Sequence, residues 1–241
     1  MMAALTEAGL LGTWEAAQGL PAVRRALTLA VAGGAQPSTV ADLAVGRRDG
    51  FLLALRESCF GPAWQALVAC PACGEELELE LSGEDVRAPA PAVPAATVTA
   101  AGYEVDMRPV TSRDLLAIQG EAPDARRRLL QRCVVAARQA GREVATAELP
   151  DAALDALPAA LSTCDPQADV RLSLDCVTCG HHWAAPFDVA AYLWTELDTY
   201  ARRLMHEVHA LALGYGWSES DVLAVSPARR RYYLELAGST A

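Results

Sequence analysis

The hydrophobic pattern of the chain switches between a helical period and a two-residue period. Up to about residue 60 it is helical. Thr6 can cap a helix carrying Leu10, Leu11 and Trp14. Pro21 suits the first turn of a second helix with Val23, Leu27 and Val31 on one face, ended by Gly33-Gly34. Ser38 or Thr39 can cap a short helix holding Val40 and Leu43. Phe51, Leu52, Leu55 and Cys59 predict a further helix from about Arg48 to Cys59, with Cys59 a small buried residue on its apolar face. Gly61-Pro62 breaks the pattern. Trp64 to Ala69 then reads as a strand, and Glu76 to Leu81 alternates strictly, leucines inward and glutamates in water. The same period returns at Val170, Leu172 and Leu174 and can continue from His182 to Pro186. From Asp188, Val189, Leu193, Leu197, Tyr200, Leu204, Val208 and Leu211 form one helical seam to about Leu213, closed by Gly214 and Gly216. Ser218 with Asp221, and Ser226-Pro227, start two short helices.

Between the two alternating stretches lies an insertion. Pro89, Pro91 and Pro94 among alanines predict an extended linker over 88–96. Thr97 to Ala100 and Tyr103 to Arg108 predict a hairpin turning at Ala101-Gly102. Thr111 or Ser112 caps a helix with Leu115, Leu116 and Ile118. Asp124 starts a stronger helix with Leu129, Leu130, Cys133, Val134 and Ala137 on one side, ending at Gly141, and a last helical piece covers about Asp151 to Leu161.

Each alternating pair brackets a cysteine pair: Cys70-Pro71-Ala72-Cys73-Gly74 and Cys176-Val177-Thr178-Cys179-Gly180. Two thiolates from one tight turn supply half of a tetrahedral zinc site, so each pair needs a partner, and the other pair is the obvious one. Strand, knuckle, strand, twice over, is the plan of a zinc ribbon. The expectation is one structural Zn2+ held by Cys70, Cys73, Cys176 and Cys179, with no open coordination position. Thioredoxin-like chemistry would need one pair opening a helix, and neither does. His181 and His182 adjoin the second pair and read as exposed histidines rather than ligands. His206-Glu207-Val208-His209 spaces its histidines three apart instead of the four a metalloprotease helix requires.

The expected fold class is therefore α+β. A helical N-terminal region (1–62) precedes the first half of a split ribbon (63–87). An inserted α/β subdomain (88–165) separates it from the second half (166–187), and a C-terminal region (188–241) holds one long helix and two short ones.

Charge narrows the function. The 241-residue chain has 20 basic residues, all arginine, against 30 acidic ones, for a net charge of −10. That balance disfavours phosphate-backbone binding, so the arginine triplets at 126–128 and 229–231 read first as solvated helix faces. No secretory leader and no membrane span is expected, and unpaired thiols suit a cytoplasmic setting. No Ser-His-Asp set, phosphate-binding glycine loop or carboxylate pair is legible, so neither catalysis nor a small-molecule substrate is expected. Trp194, Trp217, Arg230, Tyr232 and Tyr233 have the composition of a protein interface, and equally of a core.

Four stretches carry a resemblance. They are Gly46-Arg47-Arg48-Asp49 with Leu52 to Arg56 and Phe60-Gly61-Pro62; the first knuckle with its Glu/Leu strand; Asp165-Pro166-Gln167-Ala168-Asp169 running into Cys176, Cys179, Gly180 and Trp183; and Leu193-Trp194 through Tyr215-Gly216-Trp217-Ser218 to Ser226-Pro227 and Arg229 to Leu234. In their order the chain resembles the baseplate hub assembly chaperones of contractile-tailed phages and of phage-like contractile injection systems. The resemblance implies a non-enzymatic assembly chaperone or structural component of a baseplate, binding hub or wedge proteins, with the cysteine pairs marking a subset of the family. The alternative is a zinc-ribbon regulator or nucleic-acid-processing accessory.

Overall fold

Thr6 accepts a hydrogen bond from the Gly9 N–H and starts the first helix, as its side-chain chemistry dictates. The computed structural model describes residues 5–89, 95–120 and 124–238. Three helices open the chain: α1 (Glu7–Ala17), α2 (Ala22–Ala32) and α3 (Val45–Phe60). The predicted helix around Val40 is a single 3-10 turn, Val40–Asp42, with no side-chain cap, and Leu43 lies just beyond it. Hairpin β1 (Ala63–Ala69) and β2 (Glu76–Ser82) follows. The insertion contains β3 (Ala96–Ala100), β4 (Tyr103–Met107), α4 (Ser112–Ala117), α5 (Ala125–Cys133), β5 (Val134–Gln139), β6 (Arg142–Glu143), α6 (Asp151–Leu154) and α7 (Leu157–Cys164). Hairpin β7 (Arg171–Asp175) and β8 (His182–Pro186) leads into α8 (Val189–Tyr215), α9 (Glu219–Ala224) and α10 (Pro227–Gly238). The chain is thus mixed helix and sheet, of the α+β class.

Two apolar clusters organise these elements. The larger is built from both ends of the chain and from both hairpins. Leu10, Leu11 and Trp14 of α1, Leu29 of α2, Leu52, Leu53 and Leu55 of α3 and the seam Leu193, Leu197, Ala201 and Leu204 of α8 enclose Trp64, Leu172, Leu174 and Ala185. The smaller belongs to the insertion: Val105, Met107, Leu130, Ala137, Leu149, Ala153, Leu154 and Leu157. The four insertion strands form one antiparallel sheet in the order β3-β4-β5-β6, whereas β1-β2 and β7-β8 are separate two-stranded ribbons.

The insertion corrects the sequence reading in two places. The helix expected to run from Asp124 to Gly141 stops at Cys133, and Val134–Gln139 is strand β5, paired with β4 and turning into β6. Val134-Val135 favours extended backbone, and β4 offers an unpaired edge, so ladder hydrogen bonds outweigh a helical spacing that Leu130, Cys133 and Ala137 satisfy by coincidence. Ala140 and Gly141 both have positive φ (48° and 78°), matching the hairpin turn at Ala101-Gly102 (54° and 80°). The piece from Asp151 divides into α6 and α7, the latter reaching Cys164, because Pro158 belongs in the first turn of a new helix. The predicted linker's Pro91 and Pro94 lie outside the described residues.

The remaining caps follow sequence. Thr111 and Asp114 form a capping box on α4, as Ser218 and Asp221 do on α9. Asp188 accepts from the Ala191 N–H at the start of α8, and Gly216, left-handed at φ 68°, ends it.

Candidate metal centre

Both knuckles fold by the same bonds. In the first, the Gly74 N–H donates to the Cys70 carbonyl at 2.9 Å and the Cys70 N–H to the Glu75 carbonyl at 2.8 Å. In the second, the Gly180 N–H donates to Cys176 at 2.8 Å and the Cys176 N–H to the His181 carbonyl at 2.9 Å. The reversal needs a left-handed residue after the second cysteine, and glycine supplies it twice, with φ 77° at Gly74 and 71° at Gly180.

The two turns meet tip to tip. Cys70 Sγ lies 3.7 Å from Cys179 Sγ, and Cys73 Sγ lies 3.6 Å from Cys176 Sγ. All four sulfurs fall within 4.8 Å of one another. A tetrahedral ion bound at about 2.3 Å to each thiolate sets sulfur–sulfur edges of about 3.8 Å, so the cage has the dimensions of a four-thiolate metal site. Cys70 and Cys176 are buried while Cys73 and Cys179 are exposed. Hydrogen bonds from the backbone N–H groups of Cys179 and then Thr178 draw the Cys176 thiol down to about 7 against the opposing effect of desolvation. The Glu75 backbone pulls Cys73 the same way, yet the surrounding thiols and desolvation push it up to about 12. Four thiolates in one cage repel; a divalent cation would remove that penalty.

The neighbouring histidines are outside the cage. His182 Nδ1 sits 3.0 Å from Asp175 and is exposed, and His181 stacks on Trp183 at 5.8 Å. His206 and His209 are exposed on α8, and the Glu207 between them accepts from Arg230 instead. Among the described residues, the four cysteines are the one cluster with metal-ligand geometry.

The root of the double ribbon is held differently. The Gly46 N–H donates to Asp165 Oδ2 at 2.9 Å, Arg48 pairs with Asp49 at 2.7 Å, and Arg48 donates to Ser112 Oγ at 3.0 Å. Gln167 accepts from the Ala88 N–H at 2.9 Å and donates to the Val86 carbonyl at 3.0 Å. Hence the Gly-Arg-Arg-Asp and Asp-Pro-Gln stretches, distant in sequence, meet where the chain leaves for the insertion and returns. Burial pushes Asp49 up to about 6 in spite of Arg48. The close Gly46–Asp165 approach is a contact between distant segments, for which neither local motif encodes a partner.

The five residues offered as a partner surface divide. Arg230 belongs to the interior: 2% exposed, it donates to Glu7 at 2.5 and 2.7 Å, to Glu207 at 2.9 Å and to the Val225 carbonyl at 2.8 Å. Burial pushes Glu7 up, but its bonds with Arg230 and Tyr200 leave it below the ordinary carboxylate value. Trp194 is half-buried beneath Arg25, whose guanidinium lies 4.4 Å from the ring centre. Trp217 and Tyr233 are half-buried and pack edge-on at 5.0 Å, and Tyr232 is 61% exposed. The first arginine triplet is likewise engaged: Arg126 pairs with Asp155 and Arg127 with Asp151.

Fold and site together define a structural class: a two-core protein whose split ribbon closes on four thiols. Its family is given by comparison. The family described as T4 bacteriophage base plate protein matches residues 32–194, about two thirds of the chain, and the chain belongs to it. The match takes in both cysteine pairs and the root, and stops at the start of α8. No curated protein and no solved structure matches. No helix among the described residues is long and apolar enough to cross a membrane.

Proposed function

We propose that this chain is a zinc-stapled adaptor that binds hub or wedge proteins during assembly of a contractile-tail baseplate, acting as an assembly chaperone or remaining as a subunit. Family membership supports the baseplate role. The observation that carries the adaptor reading is the closure of the four-sulfur cage between hairpins that bracket an inserted subdomain. Zn2+ held by Cys70, Cys73, Cys176 and Cys179 would fill its coordination shell with protein ligands, leaving no position for substrate. Its part is then to lock the hairpins, which share the main apolar cluster with α8.

The test is co-expression of the full chain with the hub, wedge, sheath, tube and spike proteins of a contractile tail, with metal analysis of the purified chain. The expected result is one zinc per chain and co-purification of a hub or wedge protein. Failure to bind any of them, or tight salt-sensitive binding to DNA or RNA instead, overturns the reading.

A further inference from the structure

β1 has one open edge. Its other edge pairs with β2 over the full strand, Ala63↔Ser82 to Ala69↔Glu76. The Gln65 N–H donates to the Tyr192 hydroxyl at 3.1 Å, and that hydroxyl donates back to the Gln65 carbonyl at 2.8 Å. Gln65 therefore turns its backbone groups away from β2. In an antiparallel ladder this direction alternates, so Leu67 and Ala69 also present N–H and C=O outward. Beyond Gln65, no hydrogen bond from the described residues meets this edge at Leu67 or Ala69.

The edge forms one wall of a groove of about 850 Å³ whose other wall is α8 with its capping residue, from Asp188 to Arg203. Ala66, Leu67 and Val68 all line it, so it is the strand's edge and not one face that borders the groove. Leu67 is 59% exposed there. Asp188 lines one end of the groove and Arg203 the other. Arg203 is 68% exposed, 5.2 Å from the Tyr200 ring centre and only loosely paired with Glu207 at 3.9 Å. Arg56, the other cation lining the groove, is already held by both oxygens of Glu196 at 2.8 Å.

We infer that this edge and groove take an extended segment of a partner protein that pairs with β1 at Leu67 and Ala69, passes the Tyr192–Gln65 bridge without a backbone bond there, lays apolar side chains along α8 and sets a carboxylate against Arg203. Outward N–H and C=O groups at two-residue spacing are matched by another extended backbone, and the exposed, loosely paired Arg203 guanidinium selects the acidic end. The inference rests on the adaptor reading and names the kind of partner surface it needs.

The probe is a random dodecapeptide library displayed on filamentous phage, panned against the zinc-loaded full chain, with the enriched peptide measured by fluorescence anisotropy. Leu67→Pro removes an outward N–H that the β2 ladder does not use, which edge strands tolerate. Thr195→Trp, on the exposed face of α8, fills the groove from the wall opposite β1 and leaves the β1 backbone unchanged in sequence. The expected result is an enriched peptide with alternating apolar positions and an acidic end. Its affinity falls at least tenfold in either variant and about threefold in Arg203→Glu, and the Leu67 and Ala69 amides exchange more slowly in its presence. No enrichment, or unchanged affinity in both folded variants, overturns the proposal. So does self-association of the chain abolished by Leu67→Pro, which would make a second copy the occupant. Co-purification of baseplate proteins that survives both variants removes the edge and leaves the adaptor reading standing. Peptide binding without any co-purification does the reverse.

Discussion

The tip and the root of the double ribbon do the same mechanical task with opposite chemistry. At the tip, two turns meet through four sulfurs, two of them exposed, and the neighbouring Val177 is 89% exposed. At the root, Gly46, Arg48, Asp49, Ser112 and Asp165 are buried and joined by hydrogen bonds and one ion pair. A tip closed by the proposed coordination would open on removal of one ion. A root closed by many short contacts yields only to changes in its side chains. The difference teaches where each segment's stability resides: the hairpins' inner residues Trp64, Leu172 and Leu174 would stay with the main core even when the tip opens.

If the cage holds the proposed Zn2+, removing it should have the largest effect. Structural zinc in small ribbons contributes folding free energy directly, so chelation should cost on the order of 5 kcal/mol or more of local stability. Hydrogen exchange is the check: amides of 69–76 and 175–182 should lose protection while those of α3 and α8 keep it. Global unfolding on chelation would erase the distinction between tip and root.

Next comes Gly46→Ala. Inside a helix this exchange ordinarily stabilises by up to about 1 kcal/mol. Here the new Cβ would overlap the Asp165 carboxylate and come within 2.8 Å of Gln167 Cβ. The sign should invert, to a loss of about 2 kcal/mol by chemical denaturation. Asp165→Ala leaves the Gly46 N–H buried without an acceptor and should cost about 1–3 kcal/mol. The two losses should be less than additive, because removing the carboxylate makes room for the Cβ. Additivity would mean that the root is not one unit.

These same contrasts decide what could be read in advance. The knuckles were legible because Cys-x-x-Cys-Gly encodes both the ligands and the left-handed glycine within five residues. Strict alternation in Glu76 to Leu81 and the long seam of α8 were legible for a similar reason: burial repeats along one element. The root was not, since Gly46 and Asp165 are 119 positions apart and nothing local to either predicts the other. Arg230 stayed undecided between interface and core because a triplet beside two tyrosines fits either, and the partners that bury it, Glu7 and Glu207, come from other helices. Strand β5 was lost to a helical spacing that a strand edge in the insertion overrode.

Asp114 gives the root a pH signature. It is 1% exposed and bonded to Arg108 at 2.6 Å, to Arg132 at 3.0 Å and to Thr111, and it fixes the turn that presents Ser112 to Arg48. Burial opposes its charge, but Arg108 and Thr111 hold it at about 2 against an ordinary 3.8. A carboxyl depressed on folding contributes stability above its unfolded value and loses it as pH falls through its folded one. The contribution, about 2 kcal/mol, should be intact above pH 4 and fade between about 4 and 2. Asp114→Asn should cost that amount at pH 7 and remove this part of the acid dependence, as measured by urea unfolding across pH.

The smallest effect sharpens the comparison from the other side. His182 and Asp175 form a polar pair flanking the second knuckle, 3.0 Å apart, with side chains 62% and 79% exposed. Exposed pairs of this kind contribute roughly 0–1 kcal/mol. If coordination alone closes the tip, His182→Asn should leave the metal content, the chelator concentration needed for release and the melting temperature essentially unchanged. Its cobalt-substituted form should keep the absorption bands of a four-thiolate site. A shift toward a three-thiolate, one-imidazole spectrum in the unsubstituted chain, lost in His182→Asn, would place the histidine in the cage and displace one of the four cysteines.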